Sequence, residues 1–99
     1  MTENKRTRAE LHQETARVYW QELEPHFARG VVIRVASELD LVEVATCFAN
    51  DNKTTVKKWM GSGQIEHLGT ETAKDWSRRS PELWGVVVAP WVVVQERTT

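Results

Sequence analysis

The stretch LWGVVVAPWVVVQ, residues 83–95, allows few structures. It is built largely of valine, whose branched Cβ restricts χ1 and favours a pleated strand over a helix. The apolar run from Leu83 to Val94 is twelve residues long and contains Pro90, which makes it too short to span a bilayer as a helix. No membrane partner is expected. Such uniform hydrophobicity predicts a strand buried on both faces, or two short strands joined at Ala89-Pro90. A tight two-residue hairpin is not expected there, because Pro90 cannot supply a positive φ. Trp84, Val86, Val88 and Trp91 are the candidate sheet or dimer contacts, since a β-branched run left at a sheet edge invites pairing with a second copy.

A strand of this kind needs cover from the rest of the chain. With 99 residues, 40% hydrophobic and 27% charged, the composition is that of an ordinary globular domain. A chain of this length buries roughly 65% of its unfolded surface, enough for one modest core. Residues 8–96 are expected to form one domain, with residues 1–7 a disordered tail and 97–99 a frayed end.

From Arg8, the apolar positions Ala9, Ala16, Tyr19, Trp20, Leu23 and Phe27 fall on one face of a helix, with Pro25 kinking it or opening a second segment and Gly30 ending it. Val31–Val35 reads as a strand. Asp40, with Glu43 three residues on, has the spacing of a capping box before a helix from Leu41 to Ala49. Asn52 then caps a helix Lys53–Met60 with Val56, Trp59 and Met60 inward, stopped by Gly61 and Gly63. Gln64–Leu68 reads as a short strand and Thr70–Arg79 as a helix with Ala73 and Trp76 inward. The fold class predicted is α+β, a mainly antiparallel sheet of about three strands with about four helices packed mainly on one face.

The formal net charge of −1 argues against a protein that coats nucleic acid through bulk electrostatics. Charge is unevenly placed, however. Residues 30–52 carry Arg34 against Glu38, Asp40, Glu43 and Asp51, whereas residues 53–79 carry Lys53, Lys57, Lys58, Lys74, Arg78 and Arg79 against Glu66, Glu71 and Asp75. The single cysteine, Cys47, excludes an intramolecular disulfide and a multi-thiolate zinc site. Together with the absence of an apolar signal core in MTENKRTRAE, it makes a cytoplasmic location the expectation.

Catalytic, cofactor and metal sites are not predicted. His12, His26 and His67 lack the spacing of zinc ligands. Cys47 has no basic neighbour in sequence to activate it. Asp40 and Glu43 are better explained by capping than by acid–base work, and the GSG of residues 61–63 follows a helix where a phosphate loop would precede one.

Residues 40–65, DLVEVATCFANDNKTTVKKWMGSGQI, resemble the helix-turn-helix of excisionase-like and MerR-like DNA-binding proteins. Ala45 stands where the helices touch, and Thr55-Val56, Trp59, Gly63 and Ile65 match the second helix and its exit. The resemblance implies a winged-helix-like helix pair with Lys53, Thr54, Lys57 and Lys58 outward, as candidate nucleic-acid or partner contacts. Against it, Asp51 lies where phosphate would approach. Three lysines per chain would also give a salt slope near −0.9 × 3, weak beside the six to ten contacts of typical binders. LDLVEVATCFANDN, VKKWMGSGQI and VVVAPWVVVQ together resemble a family of small bacterial proteins known only as a domain of unknown function, which implies a single-domain chain and no particular activity. The leading expectation is a non-enzymatic domain acting through protein contacts or as a homodimer; the alternative is a DNA binder using Lys53–Met60.

Overall fold

The computed structural model describes residues 7–97. Chain order is α1 (Arg8–Glu14), β1 (Ala16–Val18), α2 (Trp20–Ala28), β2 (Val32–Val35), α3 (Leu41–Ala49), α4 (Lys53–Ser62), β3 (Ile65–His67), α5 (Thr70–Arg79), β4 (Leu83–Val88) and β5 (Trp91–Glu96). The strands form one mixed sheet of order β1-β4-β5-β2-β3. Strand β5 occupies the middle, antiparallel to β4 and parallel to β2, with Val32 opposite Val92 and Val35 opposite Gln95. Short strands close the two edges: β1 lies against Leu83–Gly85 of β4, and β3 against Ile33–Val35 of β2.

Alternation along these strands sends side chains into two cores. Ile33, Val35, Val86, Val88 and Val93 pack against α1, α3 and α4, through Leu11, Leu41, Val44, Ala45 and Trp59. Val32, Leu83, Val92 and Val94 pack against α2 and α5, through Leu23, Ala73 and Trp76. The valine run is therefore covered on both faces except at Val87, which stays 56% exposed.

The expected sheet of about three strands with about four helices is overturned by a mixed sheet of five strands and five helices among the described residues. Helices cover both faces rather than mainly one. The helix expected from Arg8 onward breaks at Thr15, whose amide and hydroxyl both turn back onto the Leu11 carbonyl. Ala16–Val18 then pairs with β4, so a long-range ladder overrides the local helical pattern. The residue buried from α1 is Leu11. Pro25 lies inside α2 and does not separate two segments.

A two-residue connection does join β4 to β5, contrary to expectation. The Ala89–Pro90 peptide is cis, and a cis proline at the third turn position reverses the chain without a positive φ. Helix α4 passes through Gly61 and ends at Gly63 (φ 80°), whose amide meets the Met60 carbonyl while the Gln64 amide returns to Trp59. Met60 is exposed, not inward. Asp40 caps α3 through the amides of Val42 and Glu43. Of the expected terminal fraying, residues 1–6 and 98–99 lie outside the described residues. Within them, Thr7 accepts from the Glu10 amide to cap α1, and the Arg97 amide donates to the Glu82 carbonyl. No helix among the described residues is long and apolar enough to cross a membrane.

Candidate functional site

Two concavities gather polar side chains from several elements. The larger, about 430 Å³, opens at the carboxyl ends of β2 and β5 beneath α5, between Arg34, Ser37, Glu66, Thr72, Asp75 and Glu96. Burial of Ala73 and Trp76 fixes α5 against the sheet and turns Asp75 toward this cleft. Arg34 Nε donates to Glu66 Oε2 at 2.8 Å. Arg79 forks onto both Asp75 oxygens at 2.8 and 2.6 Å and reaches Glu96 at 3.1 and 3.0 Å, while the Trp76 indole N–H donates to Glu96 at 3.2 Å. The Arg79 hydrogen bond holds the Asp75 carboxyl below the usual carboxylate range. In return, Asp75 and then Glu96 push the Arg79 guanidinium further up. These groups spend their donors and acceptors on one another, so the cleft ties α5 and β3 to the central strands.

The second hollow, about 220 Å³, is made by the turn between α3 and α4. Asp51 turns the chain in the left-handed region at φ 57°. Asn52 then locks the next helix: its side-chain oxygen accepts the Thr55 amide at 3.3 Å, and its own amide donates to the Cys47 carbonyl at 2.9 Å. This brings Cys47 and Phe48 beside Val56 and Lys57, with Trp91 from the start of β5 as a wall. Trp91 meets Phe48 edge-on at 6.3 Å between centroids and His67 at 5.5 Å. Lys53 and Lys57 stand on the rim, and Asp51 approaches the Lys53 ammonium to 3.9 Å. Burial, then the charge of Glu43, pushes the Cys47 thiol up, which keeps it protonated rather than nucleophilic at neutral pH.

The residues nominated from sequence divide. Lys53, Lys57 and Trp91 converge on this hollow, whereas Thr54 and Lys58 are exposed on α4 outside its lining. At the start of α4 the basic surface has one acidic neighbour, Asp51, 3.9 Å from the Lys53 ammonium. Val86 and Val88 are buried in the chain's own core beneath α3. Trp84 packs against the same core, its indole N–H bound to Glu82 at 2.7 Å and its ring covered by the Arg97 guanidinium at 5.0 Å. These three are therefore spent within one chain. Sequence reasoning missed Phe48 and Asn52 as site residues. Phe48 reads as core on its helical face, and only the turn brings it to Trp91.

The sequence profile of a family described as "Protein of unknown function (DUF2288)" matches residues 6–96. The chain belongs to the DUF2288 family. A solved structure described as "NMR solution structure of PA1075 from Pseudomonas Aeruginosa" is similar to this DUF2288 chain at 49% identity and a TM-score of 0.83, covering 100% of this chain and 93% of that one. The expected resemblance to a bacterial domain of unknown function thus holds. Helix-turn-helix kinship finds no support in these comparisons. No functionally curated protein matches the chain.

Proposed function

We propose that this DUF2288 domain is a non-enzymatic binding module whose contact surface is the hollow at the α3–α4 turn, and that it works on a protein partner in a reducing cytoplasm. One observation carries the reading: Lys53, Lys57, Phe48 and Trp91, from three separate elements, meet around a single opening of about 220 Å³. That volume falls below the roughly 300 to 1,000 Å³ of sites that enclose whole small molecules. It suits one anchoring side chain of a larger partner, the arrangement in which a few buried contacts dominate an interface. The larger cleft is a weaker candidate because its charged groups already pair with each other. Self-association through sheet edges is also weaker, since β1 and β3 are three residues each and carry Arg17, Glu66 and His67.

Selection from a random peptide library, followed by titration of the ¹⁵N-labelled domain with the selected peptides, tests the reading. Amide shifts should cluster on residues 47–57 and Trp91 and vanish in Trp91→Ala. Peptides that shift only other surfaces, or a library that yields no binder, would rule it out.

A further inference from the structure

We infer that the segment docking in the α3–α4 hollow is acidic and inserts an aromatic side chain; this rests on the binding reading above. The wall and floor are apolar and flat, supplied by Trp91, Phe48 and Val56. Trp91 already meets Phe48 and His67 in the edge-on geometry that rings prefer, and a further aromatic ring extends such a cluster with favourable quadrupole contacts. An aliphatic side chain would fill the space without that gain.

Charge fixes the second half of the specification. The lining carries Lys53 and Lys57 against Asp51 alone. The Asp51–Lys53 contact is long and both side chains are largely exposed, so it neutralises little. Among the described residues, Lys57 has no carboxylate within ion-pair distance. Asn52 and Lys53 are also the opening of α4, a ten-residue helix whose first turn contains no acidic residue. The positive end of its dipole, partly satisfied by Asn52 accepting the Thr55 amide, adds to the two lysines at the hollow's rim. Glu43, one helical turn before Cys47 on α3, acts on the thiol and lies outside the lining. A basic segment would meet Lys57 and the helix end with like charge, whereas an acidic one gains from both.

Three capped tetrapeptides separate the terms: Asp-Phe-Asp-Glu, Asp-Ala-Asp-Glu and Lys-Phe-Lys-Lys, each titrated at low salt into the labelled domain. The first should shift residues 47–57 and Trp91 and bind about tenfold or more tighter than the other two; Lys57→Glu should erase its advantage over Lys-Phe-Lys-Lys, and Lys57→Arg should keep it. Lys57 is exposed, so both variants should fold. If Lys-Phe-Lys-Lys or Asp-Ala-Asp-Glu binds the hollow as well as the acidic aromatic peptide, the ligand class is wrong while the surface stands. If none shifts the hollow but library-selected peptides do, the inference also fails alone. If neither set does, both proposals fall.

Discussion

Gln95 is 4% exposed near the end of β5, and its side-chain amide donates to the carbonyls of Ala36 at 2.8 Å and Leu39 at 2.7 Å. It thereby satisfies the connection between β2 and α3, which runs under the end of β5. Gln95→Leu should leave the Leu39 carbonyl without this donor, while Ala36 keeps the Leu39 amide, and cost about 1 to 3 kcal/mol in a urea melt. Nothing in the sequence marks this role, because the partners lie 59 and 56 residues away. Gly63 is the opposite case, legible as a helix stop from its neighbours alone. Its φ of 80° makes Gly63→Ala costly by about 1 kcal/mol although the space around it is open. Cys47 completes this group: with its thiol pushed up by burial and by Glu43, alkylation at neutral pH should run several-fold slower than for a free cysteine, where an activated nucleophile would run faster.

Helices α3 and α5 appear in the structure with the bounds read from sequence, because their signals are local. Asp40 caps α3 through two amides, so Asp40→Ala should lower stability by about 1 kcal/mol in thermal or denaturant unfolding. Helix α5 is held at its far end by Arg79, which bridges Asp75 on its own helix to Glu96 on β5. Arg79→Ala should release that end first, seen as faster amide exchange in residues 76–80 with the β4–β5 ladder unchanged. The Asp75–Arg79 spacing was visible in sequence; its third member, Glu96, was not. Strand β1 was hidden for the same reason. Ala16–Val18 is extended only because Leu83–Gly85 pairs with it, and single-helix periodicity reads straight through it. The α3–α4 hollow was half visible: Lys53, Lys57 and Trp91 were nominated separately, and no local pattern joined them.

Two carboxyls set how the molecule as a whole meets acid. Burial pushes the Asp40 carboxyl up, but the Arg8 hydrogen bond and the amides of Glu43 and Val42 outweigh it and leave it lowered. Asp75 is lowered by Arg79. Both therefore bind a proton more weakly folded than unfolded, where the value is about 3.9. Their stabilisation is complete above that value and is lost as pH falls through the folded-state values. Unfolding free energy should decline below about pH 4, and Asp40→Asn with Asp75→Asn should flatten the decline. The α+β class was readable from the succession of helical and strand patterns, and a buried valine-rich strand from residues 83–95; the five-strand order was not, since it depends on pairings such as Val32 with Val92. That pairing has a consequence for synthesis. The middle strand of the sheet is the last of the ten elements to be translated, and both β4 and β2 need it as a neighbour. During translation the chain can close β2 on β3 and β1 on β4 but cannot join the two pairs. The valines of β2 and β4 that face β5 therefore lack their neighbour until residues 91–96 emerge.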